Sequence, residues 1–124
     1  MQYYDVFVYG TLRKGGTNHH YLENTPCLRD AIWLPGFRIY DFQHQYPFML
    51  ASPGPEQVKG EIYRVNEAQL QLLNILEDIQ NELYKLVYLQ APQCYTYLKF
   101  DSEVSNMALI QSGDWIKYIS EVSN

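Results

Sequence analysis

Asp5-Val6-Phe7-Val8-Tyr9-Gly10-Thr11-Leu12-Arg13 begins as an apolar run and breaks at a glycine. A short continuous apolar run bounded by a turn signal reads as a strand covered on both faces. The chain is therefore expected to start with a doubly buried strand that ends at Gly10. Glycine there lets the backbone turn sharply and lets a ligand approach the N–H groups that follow. Successive free N–H groups in such a turn make an anion-binding nest. Gly10 also serves as a plain strand exit, and from spacing alone that is the commoner case, since short glycine loops are frequent.

Downstream, Gly15 and Gly16 lie in polar sequence, and Thr17-Asn18 can cap a short helical turn through Leu22. Extended segments are predicted over 27–34, 37–42, 46–51 and 58–65. Pro35-Gly36 and Ser52-Pro53-Gly54-Pro55 supply turns between them. Gly60 within the last of these strands marks a bulge or a close backbone approach.

Asn66 starts the clearest helix. It is a good N-cap, and Gln69 three positions on completes a capping-box pattern. Leu70, Leu72, Leu73, Ile75 and Leu76 form an apolar arc, and the helix is expected to end near Asp78. Strands over 83–90 and 93–100 follow, joined near Pro92. Ser112-Gly113-Asp114-Trp115 reads as the capped start of a second, shorter helix, with Trp115 as its packing anchor.

Many short strands with one convincing helix exclude an alternating βαβ scheme. The pattern predicts an α+β fold: a small, mostly antiparallel mixed β-barrel with a few short helices. The length of 124 residues fits a single domain, 1–124. Ser-Glu-Val-Ser-Asn occurs at 102–106 and again at 120–124, too short a unit for a repeat architecture.

Composition narrows the function classes. The formal charge is -5 and no Lys/Arg run exists, so no nucleic-acid partner is expected. The first residues carry neither a basic region nor a long apolar stretch, so no signal peptide and no membrane partner are expected; the reducing cytoplasm is the expected compartment. Cys27 and Cys94 lie far apart, and His19, His20 and His44 show no ligand spacing. Neither a disulfide framework nor a metal site is expected. Tyr is the dominant aromatic, with 12 copies, and its apolar ring and polar tip suit the wall of a wet pocket.

Glu77 is the most informative ionisable residue. Positions 70, 73 and 77 share a helix face, so Glu77 projects at the rim of the apolar arc, while Asp78 falls on the polar face with Glu67, Gln71 and Asn74. A carboxylate beside leucines is partly desolvated, which raises its pKa and lets it accept and return a proton near neutrality. A position at a frayed helix end explains Glu77 equally well on periodicity alone. Glu82 is expected in a loop as a solvated carboxylate. Asn18 and His19 are within reach of a pocket rim, and Tyr84 starts a strand from which it can point inward. No nucleophilic triad spacing and no phosphate loop of the Gly-x-x-x-x-Gly-Lys type is present.

Together these segments form a recognisable set. Val6 to Arg13 followed by Asn18-His19 resembles the opening motif of the gamma-glutamylcyclotransferase-like superfamily. Gly60-Glu61-Ile62-Tyr63 is similar to its Gly-x-(Leu/Val/Ile)-Tyr strand, and Leu73-Asn74-Ile75-Leu76-Glu77 to its Leu-Asp-x-x-Glu helix end. Tyr84 sits where the family has a Tyr-x-Arg, and Ser112 to Trp115 resembles a motif of its small bacterial and plant branch. Asn74 stands for the usual Asp, Asp78 for the Gly that commonly follows the catalytic Glu, and Leu86 for the Arg. A carboxylate at Asp78, if close, would raise the Glu77 pKa further.

The resemblance implies an enzyme that needs no metal and no cofactor. Glu77 would be its general base and acid, with Tyr9, Gly10, Thr11, Leu12 and Tyr84 holding the substrate. The substrate would be a small gamma-glutamyl amine or peptide, released as 5-oxoproline and a free amine. A monomer or weak homodimer is expected. The alternative is a non-catalytic module that binds an amino-acid-like ligand in the same pocket, since one fold hosts both. A third reading is an interaction protein that uses its exposed tyrosines, which a closed barrel with no pocket would favour.

Overall fold

The computed structural model describes residues 2–81, 83–99, 104 and 106–122. Glu82 and Phe100, the last residue of the strand predicted over 93–100, lie outside the described residues. The strands are β1 (Tyr3–Val8), β2 (Cys27–Pro35), β3 (Phe37–Phe42), β4 (Tyr46–Ala51), β5 (Gln57–Asn66), β6 (Tyr84–Leu89), β7 (Cys94–Lys99) and β8 (Ala108–Leu109). The helices are α1 (Glu67–Leu76) and α2 (Trp115–Val122), with a 3-10 turn at His19–Leu22. No helix among the described residues is long and apolar enough to cross a membrane.

Five strands form one sheet in the order β2-β5-β1-β7-β6, and β4-β3-β8 form a second. All pairings are antiparallel except that of β1 with β7, where Val6 faces Tyr95 and Phe7 faces Thr96. The mixed, mostly antiparallel α+β architecture is the one expected. Its strands divide between two sheets and do not close into a true barrel.

β1 lies at the centre because its side chains alternate between two apolar cores. Val6 and Val8 enter a core with Phe48, Leu70, Leu73 and Tyr84. Phe7 and Tyr9 enter the other, with Ile39, Met49, Val58 and Trp115. Both faces of the strand are thus covered, as its unbroken apolar run requires. Beside it, Gly60 on β5 leaves room for the neighbouring chain: a Cβ there would stand 2.2 Å from the Val8 carbonyl oxygen. The bulged register occurs on the other side of β5, in β2 between Cys27 and Ile32.

The local signals at α1 act as their chemistry dictates. The Asn66 side chain accepts from the Gln69 N–H at 2.8 Å, and the Gln69 side chain accepts from the Asn66 N–H at 3.0 Å. The helix stops at Leu76. Glu77 caps it, its N–H bonded to the Leu73 carbonyl at 2.8 Å, and Asp78 turns the chain away in the left-handed region at φ 54. Asp is one of the few non-glycine residues that visit this region readily. At α2, Asp114 caps the helix, accepting from the Lys117 N–H at 3.1 Å, while Trp115 is buried as the expected anchor.

Gly113 holds the turn before α2 against β5. Its φ is +69, its carbonyl accepts the Lys59 N–H at 2.8 Å, and a Cβ there would stand 1.9 Å from the Gln57 carbonyl oxygen. Gly113→Ala is expected to destabilise the fold by more than about 1 kcal/mol, through both the backbone conformation and the collision. Urea unfolding measures this, and an unchanged midpoint would show that the turn is not held there.

Candidate active site

The loop after β1 is shaped from beneath by a buried ion network. Arg13 Nε contacts Glu61 Oε2 at 2.7 Å, and Arg13 Nη1 contacts Asp114 Oδ1 at 2.9 Å. Glu61 Oε1 also accepts the Lys14 N–H at 3.0 Å and the Tyr63 hydroxyl at 3.1 Å. Arg13 and Glu61 are both nearly inaccessible to solvent. Buried charges persist only when paired and hydrogen-bonded, so this arrangement leaves the loop little choice of path. Desolvation pushes the Asp114 carboxyl up, but the Lys117 N–H and the Arg13 guanidinium outweigh it, and its pKa is lowered.

Above this base, the chain folds back on itself. The Asn18 N–H bonds the Thr11 carbonyl at 2.8 Å, and the Asn18 side chain donates to Thr11 Oγ1 at 3.0 Å. His19 Nδ1 lies 3.0 Å from the Leu12 carbonyl oxygen. Asn18 and His19 therefore brace the loop from outside the pocket. The Gly10 and Thr11 carbonyls are occupied by the Arg13 and Asn18 N–H groups. Among the described residues no hydrogen bond takes up the N–H groups of Gly10, Thr11 or Leu12.

Tyr9, Gly10, Thr11, Leu12, Glu77 and Tyr84 all line one pocket of about 330 Å³, its mouth included. Tyr46, Pro47 and Tyr97 line it too and were not singled out by sequence reasoning. Tyr is common in strands for packing alone. The one usable signal was alternation, which sends Tyr97 to the same face as Tyr95 and Lys99, and it does not separate a pocket wall from a core.

Glu77 as a whole residue stays partly exposed, yet its carboxyl lies among protein atoms, and this burial raises its pKa from 4.5 to about 7. Among the described residues the carboxyl has neither a hydrogen bond nor a salt bridge. Burial pushes up the phenols of Tyr9, Tyr46, Tyr84 and Tyr97, and the nearby Glu77 charge adds to each. These hydroxyls therefore stay protonated, as donors. Tyr9 donates to the Tyr97 carbonyl at 2.6 Å, Tyr84 to the Pro47 carbonyl at 2.7 Å and Tyr97 to Asn74 Oδ1 at 2.7 Å.

The three departures from the family pattern have separate places. Asn74 ties the last turn of α1 to the pocket wall through Tyr97. Asp78 lies outside the pocket, and desolvation alone accounts for the raised Glu77 pKa. The expected contribution of a neighbouring carboxylate is therefore absent. Leu86 packs against the core that contains Val6 and Tyr97, an apolar partner where an Arg would present a charge. Among the described residues no group of three or more His, Cys, Asp or Glu side chains is placed to hold a metal ion.

In this small α+β fold the loop after β1 and the desolvated Glu77 carboxyl line one pocket. The chain belongs to the family described as gamma-glutamyl cyclotransferase, AIG2-like, whose profile matches residues 6–117. It is 34% identical over 113 residues to the gamma-glutamylcyclotransferase family protein YtfP of Escherichia coli strain K12, covering 90% of this chain and 95% of that one. The solution structure of E. coli YtfP matches with a TM-score of 0.70 at 29% identity, over 92% of this chain and 97% of that one. The crystal structure of PH0828 from Pyrococcus horikoshii matches with a TM-score of 0.77 at 26% identity, over 97% and 96%. Gamma-glutamylaminecyclotransferase A of Danio rerio is 37% identical over 95 residues, 69% of this chain and 57% of that one.

The Glu77 burial has a consequence for stability. A carboxyl whose folded pKa exceeds its unfolded value holds its proton more tightly when folded. Its contribution is neutral below about pH 4.5 and becomes increasingly destabilising as pH rises towards about 7. Glu77→Gln is therefore expected to melt a few degrees above the wild type at pH 8, with the gap shrinking at pH 4. Equal melting temperatures at pH 8 would show that the carboxylate is not desolvated.

Proposed function

We propose that this chain is a gamma-glutamyl cyclotransferase-type enzyme that releases 5-oxoproline and a free amine from a gamma-glutamyl amine or peptide. The observation that carries the reading is the Glu77 carboxyl, raised to about 7 and without a protein partner, in the same pocket as three free loop amides. A group of that pKa both takes and returns a proton near neutrality.

In this reading Glu77 removes a proton from the α-ammonium group of the gamma-glutamyl unit. The freed nitrogen attacks the γ-carbonyl carbon within the same molecule, where proximity replaces a strong nucleophile. The Gly10, Thr11 and Leu12 N–H groups stabilise the oxyanion that develops, and the tyrosine phenols keep the pocket wall uncharged. Protonated Glu77 then gives its proton to the departing amine nitrogen as the old carbon–nitrogen bond breaks. The ring nitrogen sheds a second proton as it becomes an amide, and Glu77 takes it up and passes it to the released amine, which leaves as ammonium. One carbon–nitrogen bond forms, one breaks, and no water or redox partner is consumed.

Release of 5-oxoproline from a panel of gamma-glutamyl amines, followed by mass spectrometry, tests the reading. Glu77→Gln is expected to fold and to lose turnover by roughly 10²–10⁴-fold. Wild-type kcat/KM is expected to fall as pH drops below about 7, where the base form is lost. Full turnover by Glu77→Gln would remove Glu77 from this role. Saturable binding of gamma-glutamyl compounds with no release would instead identify a binding module.

Gly10 tests the loop separately. A Cβ there would stand 2.8 Å from Pro47 Cδ and Cγ, and Pro47 itself lines the pocket. Gly10→Val is expected to push these walls apart and lower ligand affinity by more than it lowers stability. Calorimetry showing unchanged affinity in the folded variant would rule out ligand holding by the loop.

A further inference from the structure

The hairpin between β3 and β4 and the face of α2 are joined by one buried carboxylate. Asp41 Oδ1 accepts the His44 backbone N–H at 2.7 Å, and Asp41 Oδ2 accepts the Tyr118 hydroxyl at 2.6 Å. His44 Nδ1 is also turned to Asp41 Oδ2. Gln43 and His44 both adopt left-handed backbone, at φ 54 and 60, so the hairpin tip is tight. Asp41 is 8% exposed. A buried acceptor that serves both elements holds the hairpin tip at a set distance from α2.

Between them lies a groove of about 620 Å³, its open side included. The hairpin side offers His44 and Gln45, and the α2 side offers Trp115, Ile116 and Ile119. Its floor comes from the loop after β1, and Thr11 lines both this groove and the Glu77 pocket. The hairpin crosses the same boundary: His44 and Gln45 face the groove, while Tyr46 and Pro47 face the pocket. The two spaces are therefore neighbours along two separate chain segments.

The chemistry of the groove is distinctive. Among the described residues that line it, none is Lys, Arg, Asp or Glu. His44 is its one imidazole, and its Nδ1 is turned to Asp41 Oδ2. An amine that carries its own carboxylate or ammonium would be desolvated there without a partner, at a cost that an apolar body avoids.

We propose that this groove receives the amine half of the substrate and selects gamma-glutamyl derivatives of uncharged, apolar-bodied amines, alkyl or aryl, over those of charged amino acids and dipeptides. The inference rests on the cyclotransferase reading and adds the class of leaving group to it. Ile119 and Ile116 would contact that body, and the Asp41–Tyr118 bond would act on specificity only through the width of the groove.

Matched gamma-glutamyl derivatives of methylamine, butylamine, phenethylamine, glycine and lysine (through its ε-amine) provide the test, with 5-oxoproline as readout. Wild-type kcat/KM is expected to rise along the apolar series, by about two- to fourfold for each methylene that enters the groove. The glycine and lysine derivatives are expected to fall below butylamine. Ile119→Lys is expected to reduce the phenethylamine-to-methylamine ratio of kcat/KM about tenfold; using the ratio cancels any general loss of folded enzyme. A flat profile across the series, or an unchanged ratio in Ile119→Lys, would overturn the groove assignment while leaving the cyclotransferase reading in place. No release from any derivative, methylamine included, would overturn both.

Discussion

The loop around the pocket depends on a guanidinium with nowhere else to go. Arg13 sits beneath the loop between Glu61 of β5 and Asp114 at the start of α2, contributions from three distant parts of the chain. Removing Arg13 would leave the buried Glu61 carboxylate without its cation, a heavier loss than the pair itself is worth. The network therefore acts as a geometric constraint more than as a source of stability. With Arg13 and the Lys14 N–H fixed on Glu61, the Gly10 and Thr11 carbonyls are taken up by the Arg13 and Asn18 N–H groups, and among the described residues no hydrogen bond takes up the amides of Gly10, Thr11 or Leu12.

A second constraint works from the other side. α1 ends one residue before Glu77, so this carboxylate is delivered by a helix cap, a position set by the capping box at one end and by left-handed Asp78 at the other. The Asn74–Tyr97 bond then ties the last helical turn to β7. The pocket is thus the meeting point of two independently anchored pieces, and its shape does not depend on a flexible side chain reaching across open space. The unfavourable burial of Glu77 is the stability cost of that arrangement.

What could be read from sequence divides along physical lines. The limits of β3 and β4 were legible at 37–42 and 46–51, because Gly36 and the polar residues 43–45 punctuate them locally. The capping box at Asn66 was legible for the same reason. The meeting of Glu77 with the Tyr9 to Leu12 loop was legible through helix periodicity and family resemblance together. The parallel β1–β7 pairing, the two-residue strand β8 and the division into two sheets were not, since each depends on contacts between residues far apart in the chain. The Arg13 network escaped for the same reason: nothing local to Arg13, Glu61 or Asp114 says that they meet. Tyr46 and Tyr97 were hidden in another way, because a strand tyrosine looks the same whether it walls a pocket or fills a core.

The central strand also sets the order in which the molecule can be completed. β1 is made first, yet one of its two neighbours, β7, begins 86 positions after Val8 ends it, counted from Val8 to Cys94. A nascent chain can pair β1 with β5 once residue 66 has emerged, but the other edge of the strand stays open until the tenth decade of the sequence arrives. The Tyr97 carbonyl, the acceptor of the Tyr9 hydroxyl in the fold, is made equally late. Pairings of such long range are slow to close and leave an unsatisfied strand edge exposed in the interval. The same strand that gives the finished protein its most protected interior is, during synthesis, its most vulnerable surface for misassociation.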